Sequence, residues 1–462
     1  MKFALICFGN EESYGLLFVG GEILLFGQEI RFFDAEMDDE FINKIVEWGP
    51  DFICFSPMST FFSLALSINK KIKEMIPGVK SIYGGHHAIG SPEIIDLKEV
   101  DIVVRGPVRG SMEKILSGYE GVINTRPTYP DDISIPYREK YYYDIPRMAN
   151  RYRKVMISMF GCPWNCHYCA SSSGYVGKIY GRDVHKNFFL SRRSISTLIK
   201  EAKDIKSLGR TDEIEWVDDD IFAGKESNEW LLNFIDEWSE KIDIPMYVST
   251  SSHSALNISD EVLFKMRKIV NCIGMGVQAS RPSSLKIFNR QWDNEVKMKK
   301  AYDRLVSFGY SVNLQAIIGL PIKDPVEDAI ETLNLLRRIG PGSICSIYPL
   351  QIYHGTKMEK YCFDNNFRIN ELCGGDTNSG VANLLFSEKE MKLLRNICKL
   401  GTFFVKYDIN EKWIRALIDV DFNDEVSKKI SMTRYHECVI DRLGNKGEEV
   451  FKKIVETTKL RY

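Results

Sequence analysis

From Lys154 to Pro349 one pattern returns about every thirty to forty residues: a short apolar run, a polar turn, then a segment of helical spacing. The apolar runs are Lys154–Ser158, Glu213–Val217, Met246–Ser249, Cys272–Val277, Ser311–Ile318 and Ile344–Pro349. Between the first two, Ile195, Leu198, Ile199, Ala202 and Ile205 recur at helical spacing, and Gly209 follows as a stop. Strands alternating with helices in this way stack as parallel neighbours. Six units predict a partial (βα) barrel, open on one side, with its chemistry at the strand C-termini.

A second series precedes the first. Lys2–Cys7, Glu29–Phe33, Phe52–Phe55, Lys80–Tyr83 and Val100–Val104 are strand-like, and helix-like segments at 13–27, 38–48 and 63–75 separate them. This order predicts a doubly wound, Rossmann-like parallel sheet that binds ligands at its strand ends. Those ends carry Ser56, Met58 and Thr60 after one strand, Gly84-Gly85-His86-His87 after the next, and Arg105-Gly106 after another. Paired glycines let backbone approach a planar ligand or a phosphate closely, although a tight strand-to-helix turn asks for the same residues.

The first barrel strand delivers Phe160-Gly-Cys-Pro-Trp-Asn-Cys-His-Tyr-Cys169. Cys162, Cys166 and Cys169 supply three soft ligands from one loop. A cuboidal iron–sulfur cluster takes four thiolates, so three leave one iron open to a small molecule. The competing reading is a zinc knuckle with His167 or a distant cysteine as fourth ligand. Zinc loops favour paired Cys-x-x-Cys units, and only one such pair is present.

The spacing C-x-x-x-C-x-x-C, with an aromatic before the last cysteine, resembles the radical S-adenosylmethionine (SAM) superfamily. That resemblance implies a 4Fe–4S cluster whose open iron chelates SAM, and a 5′-deoxyadenosyl radical released by one-electron cleavage. It places Tyr168 against the adenine. It also implies SAM contacts from Asp218 and Asp219 after the second strand, Ser249 and Ser251 after the third, Gln278 and Arg290 around the fourth, and Ile317 on the fifth. Gln278 stands where glutamate is common, which predicts a weaker, neutral contact. Tyr353-His-Gly-Thr356 resembles a Pro-Gly-Thr turn with His354 in place of proline, while Trp216 and Met275 read as core.

The preceding sheet resembles the cobalamin-binding domain found ahead of many such barrels. The resemblance implies corrinoid contacts from Ser56, Met58, Thr60, Gly84, Gly85, His86, His87 and Gly106. Two features depart from it. The Asp-x-His-x-x-Gly signature is missing, with Asp34–Asp39 in its region, and Pro107 and Arg109 replace the usual acidic pair. Together the two resemblances imply a cobalamin-dependent radical SAM methyltransferase. It would move a methyl group from methylcobalamin to an unactivated carbon of a peptide or protein side chain (a glutamine carbon, for example) or of a small metabolite. The alternative is a non-methylating cobalamin-dependent reaction, ring contraction or tetrapyrrole cyclisation. Methylthiolation of transfer RNA is excluded, because it expects three further cluster cysteines where only Cys7 and Cys54 are found.

These readings divide the chain into a cobalamin-binding domain at 1–140, a linker at 141–152, a barrel at 153–352 and a mainly helical, substrate-selecting cap at 353–462. Helices are expected at 387–400 and 445–458, and Cys345, Cys362, Cys373, Cys398 and Cys438 read mostly as plain thiols. With 61 basic and 63 acidic residues, a broad nucleic-acid-binding face is not expected. No apolar stretch has spanning length, and the N-terminus lacks a basic region followed by a cleavage site. Eleven cysteines without a disulfide-like framework predict a cytoplasmic protein. Reducing the cluster calls for an electron donor such as ferredoxin or flavodoxin.

Overall fold

The structure, a computed structural model, describes residues 1–35, 39–224, 227–370, 382–422 and 430. Its first layer is a parallel sheet of β1 (Lys2–Cys7), β2 (Glu29–Asp34), β3 (Phe52–Phe55), β4 (Lys80–Tyr83), β5 (Ile102–Arg105) and β6 (Gly121–Asn124), in the order β2-β1-β3-β4-β5-β6. Side chains of β1 alternate between two dry faces. Phe3, Leu5 and Cys7 join one core with Leu16 and Met112, while Ala4 and Ile6 join another with Ile45 and Ile68. Burial on both faces is why these strands read as continuous apolar runs. The order reverses beside β1, which opens a crevice at the strand C-termini.

Two features of this layer differ from expectation. β6 was not anticipated, because Gly121-Val-Ile-Asn124 is too short for periodicity to mark, and it pairs only with β5 at the sheet edge. Residues 141–152, expected as a linker, are largely helical. The helices Arg138–Asp144 and Pro146–Ala149 bury Tyr141, Tyr142, Ile145 and Met148 in the first core. Arg147 grips Asp34 with a forked ion pair, fastening this segment to the sheet. A run of tyrosines followed by proline carries little helix propensity, so burial rather than local preference makes these turns.

The second sheet holds β7 (Arg153–Met156), β8 (Glu213–Trp216), β9 (Met246–Ser251), β10 (Val270–Gln278), β11 (Ser311–Ile318) and β12 (Ile344–Pro349). They pair in chain order, all parallel. No pairing among the described residues joins β7 to β12, so the sheet curls into a half-barrel. Trp216 and Met275 lie wholly inside its core.

After β12, the helix Glu388–Lys406 opens with a capping box of Ser387 and Glu390. It packs along β12, where the Thr402 hydroxyl donates to the Cys345 carbonyl at 2.8 Å. A Cβ on Gly401 would stand 2.2 Å from Ile347 Cδ1, so a larger residue there would have to displace that side chain. The helix thereby covers an edge strand that would otherwise be open to pairing. The helix expected at 445–458, Cys373, Cys438 and residues 36–38 of the Asp34–Asp39 stretch lie outside the described residues. Among the described residues no helix is long and apolar enough to cross a membrane.

Candidate active site

The cysteine loop leaves the C-terminal end of β7 and is pinned by the aspartates that follow β8. Asp218 Oδ1 accepts from the backbone N–H groups of Ser158 (2.6 Å) and Met159 (3.2 Å), and Oδ2 accepts from the Ser158 hydroxyl and from Arg192 (3.1 Å). Asp220 accepts from Trp164 Nε1 at 2.7 Å, Thr250 at 2.9 Å and Ser254 at 2.8 Å. Both carboxylates are buried and spent on the scaffold. Asp219, between them, is exposed and stands beside Ser171.

Cys162 and Cys166 are buried and Cys169 is half-buried. Burial, followed by the carboxylates of Asp219 and Asp220, holds the Cys162 thiol well above its usual range, and burial with Asp219 does the same to Cys169. Thiols so placed ionise when a cation binds. Two N–H groups already reach the sulfurs: Ser171 N to Cys169 Sγ at 3.4 Å, and Arg290 Nη1 to Cys166 Sγ at 3.9 Å. Hydrogen bonds to sulfur are among the levers that set an iron–sulfur centre. Arg290 is itself held by the Gly276 carbonyl and Asp293.

The donor set favours a cluster over a zinc knuckle. Among the described residues no three Cys, His, Asp or Glu side chains are grouped to hold a single metal ion. A cuboidal cluster takes one thiolate per iron and needs no such grouping. His167 turns its Nδ1 to the Ile287 carbonyl at 3.1 Å.

A cavity of about 410 Å³ separates the two sheets at their strand C-termini. Met58, Ser59, His86 and His87 wall it from the first layer, and Tyr168, Cys169, Gln278 and Ile317 from the barrel. Gln278 adopts φ +70°, which non-glycine residues rarely do, and such strain gathers at functional sites. A Cβ on Gly276 would lie 2.6 Å from the Gln278 amide nitrogen, so the glycine makes room for that side chain. His87 bonds Ser59 Oγ at 3.0 Å, stacks on Phe62 with ring centres 4.0 Å apart, and meets His354 edge-on at 5.6 Å. Burial, then the charge of His354, brings His87 down to about 4. His354 in turn pairs through Nδ1 with Glu359 at 2.8 Å.

Ser56, Gly84, Gly85 and Gly106 surround a second, smaller cavity of about 60 Å³, walled by Leu16, Ile82, Val104 and Met112. Gly85 and Gly106 have φ +77° and +114°; a Cβ would meet Ser56 Oγ at 2.4 Å and Thr125 Oγ1 at 2.2 Å respectively. Glycines at this rim let backbone approach a ligand closely, as a corrinoid's attachment needs, although a slot of this size does not itself admit a ring. Thr60 lines neither cavity, and its enclosed Oγ1 has no hydrogen-bond partner among the described residues.

Not every residue expected beside SAM reaches the large cavity. Asp218 is committed to the loop's base, and Ser251 caps the helix Ser252–Asn257 by accepting from Ser254 N at 3.1 Å. Ser249 sits inside the barrel against Gly274, and Arg290 lies behind the loop. Conversely, Gln315 and Gln351 line the cavity and were not anticipated. Gln315 lies two residues before Ile317 on β11, so strand alternation puts both on one face and could have found it.

The sequence model of the radical SAM superfamily matches residues 156–345. The hopanoid C-3 methylase of Methylococcus capsulatus is 24% identical over 364 residues, covering 71% of this chain and 64% of that protein, so the chain spans less than two thirds of this relative. An uncharacterized methyltransferase of Pyrococcus horikoshii is 23% identical, covering 71% of this chain and 73% of that one. Among solved structures, the radical SAM methyltransferase TsrM from Kitasatospora setae, with cobalamin and a [4Fe-4S] cluster bound, superposes with a TM-score of 0.65 at 11% identity, covering 99% of both chains. The cobalamin-dependent SAM radical enzyme OxsB superposes with a TM-score of 0.63 at 12% identity, covering 99% of this chain and 75% of that one. At these identities the structural likenesses establish the fold.

Proposed function

We propose that the chain is a cobalamin-dependent radical SAM methyltransferase acting on an unactivated carbon of a small metabolite, a reading supported by the radical SAM match over residues 156–345. Its cofactors are a 4Fe–4S cluster, SAM and cobalamin. The observation that carries this reading is the cavity shared by the two sheets, with His86, His87 and Met58 on one wall and Tyr168, Cys169, Gln278 and Ile317 on the other. When bound, the cluster with SAM supplies hydrogen-atom abstraction and the corrinoid supplies the methyl group.

The chain's own residues do the rest. Cys162, Cys166 and Cys169 hold the cluster, while Arg290 donates to the Cys166 sulfur and the Ser171 N–H to the Cys169 sulfur. Asp218 and Asp220 fix the loop, so the reacting groups keep their spacing. Tyr168, Gln278 and Ile317 orient SAM, and Asp219 faces it from the loop side. Ser56, Gly84, Gly85 and Gly106 seat the corrinoid, with His86 and His87 along its edge. The two sequence relatives, a hopanoid methylase and an uncharacterized methyltransferase by name, support the reaction type. The first of these also supports a small metabolite over a peptide as acceptor.

The test is anaerobic reconstitution with iron, sulfide and cobalamin, followed by SAM, a reductant and candidate acceptors that include a hopanoid and a glutamine-containing peptide. Equal formation of 5′-deoxyadenosine and S-adenosylhomocysteine with a methylated acceptor is expected, and Cys166→Ala should abolish the first product. Protein that binds only zinc, or turnover without S-adenosylhomocysteine, would overturn the proposal.

A further inference from the structure

Trp164 lies inside the cysteine loop, between Cys162 and Cys166. Its indole stacks on Trp292, with ring centres 4.9 Å apart and planes at 25°. His253 stands edge-on to both, at 5.0 Å from Trp164 and 6.0 Å from Trp292. None of the three lines the large cavity. The loop therefore has two faces. Tyr168 and Cys169 turn toward the cavity, and Trp164 joins a group of rings whose outermost member, His253, is exposed.

These rings are held rather than loosely packed. Asp220 accepts from Trp164 Nε1 at 2.7 Å. The buried guanidinium of Arg290 lies 4.6 Å from the Trp292 ring centre while its Nη1 reaches the Cys166 sulfur at 3.9 Å. Two unbroken sets of contacts thus run from the surface to the cysteines, one through Trp164 and one through Trp292 and Arg290. Packing alone would explain an aromatic stack, but it leaves an exposed histidine at the end without a task.

The charge around the stack is one-sided. Lys297 and Lys300, one turn apart on the helix Glu295–Ser307, are exposed and make no ion pair among the described residues, and Lys297 Nζ donates to the Trp292 carbonyl at 2.6 Å. The neighbouring acids are already neutralised, Asp293 by Arg290 and Glu295 by Arg338. A surface of this kind attracts an acidic partner and orients its approach.

We propose that Trp164, Trp292 and His253 mark where the electron that reduces the cluster enters, and that this face receives an acidic, low-potential one-electron carrier protein. The inference rests on the reading of the cysteine loop given above. One electron leaves the reduced carrier, which is oxidised, and one arrives at the cluster, which is reduced; no bond forms or breaks. Entry on this side keeps the carrier away from the cavity that holds substrate.

The experiment mixes the reconstituted holoprotein with reduced flavodoxin, or in parallel with dithionite, and follows bleaching of the cluster absorbance by stopped flow. His253→Ala and Trp292→Ala are expected to slow reduction by flavodoxin about tenfold, and Lys297→Glu to weaken flavodoxin binding in calorimetry and flatten its salt dependence. Reduction by dithionite and iron content should stay at wild-type values. Unchanged flavodoxin rates in all three variants would overturn the proposal. If Trp292→Ala disturbs the loop and loses iron, His253→Ala and Lys297→Glu still decide. A wild-type protein that takes up no cluster would sink the reading of the loop itself.

Discussion

Arg138 and Glu201 join the two layers: Nη1 donates to Oε1 at 2.6 Å, with side chains 1% and 0% exposed. Arg138 Nη2 also donates to the Val155 carbonyl on β7, and Glu201 takes Arg193 at 2.6 Å on its other oxygen and the Tyr14 hydroxyl at 3.0 Å. Burial by itself lowers Arg138, but Glu201 and Glu12 hold it well above its ordinary value. This clamp fixes where the loops of the first sheet stand over the barrel mouth.

Removing one partner from such a cluster leaves an uncompensated buried charge, which costs about 3–5 kcal/mol. Glu201→Gln should therefore lower the urea midpoint of the cofactor-free chain sharply. The double substitution Arg138→Met with Glu201→Leu should recover little of that loss, because it leaves the Arg193 guanidinium buried without its carboxylate. A single variant that unfolds at the wild-type midpoint would show that the clamp does not hold the layers.

The slot beneath Gly85 and Gly106 makes a second expectation. Gly106→Ala would place a Cβ 2.2 Å from Thr125 Oγ1 and 2.7 Å from its carbonyl oxygen, at a φ that alanine adopts only under strain of order 1–3 kcal/mol. Gly27→Ala has a similar positive φ but open space around it. After reconstitution, Gly106→Ala should retain little cobalamin by its visible absorbance, and Gly27→Ala should retain the wild-type amount.

These glycines also show what could be read in the sequence and what could not. Apolar runs bounded by turns mark all eleven anticipated strands to within two residues, because burial on both faces leaves an unmistakable signature; β5 starts at Ile102 rather than Val100, and β6 was unforeseen. The cysteine loop was visible because its ligands are contiguous. Asp218 and Ser251 were harder, since sequence shows that a polar group ends a strand but not whether the backbone nearby will consume it. The tyrosine-rich helices at 138–149 were hidden because their stability comes from the packing of Tyr141 and Met148, not from propensity.

Asp220 carries a third expectation. It accepts three hydrogen bonds from Trp164, Thr250 and Ser254, and Asp220→Ala leaves those donors buried without an acceptor, at about 1–3 kcal/mol apiece. The cysteine loop should then lose its fixed position. Iron and sulfide bound after reconstitution should fall by more than half in Asp220→Ala, and Asp220→Asn should restore part of the loss by keeping an acceptor oxygen.

Acid should act through His87. Burial, then the charge of His354, lowers it from the ordinary 6.5 to about 4 in the folded chain. Between those values the unfolded chain binds a proton that the folded chain does not, so stability rises with pH across this window. The contribution is complete above about pH 6.5 and is lost as the pH falls toward 4, amounting to roughly 2–3 kcal/mol at the acid end. Other titratable groups at this wall are His86, His354 and Glu359, and none of them is altered by His87→Asn, which can keep a bond to Ser59. Urea midpoints of the cofactor-free protein at a series of pH values from 4.5 to 7.5 should therefore fall more steeply in the wild type than in His87→Asn. Parallel curves would place the acid sensitivity elsewhere, since a neutral histidine held against Phe62 is the one element the substitution removes.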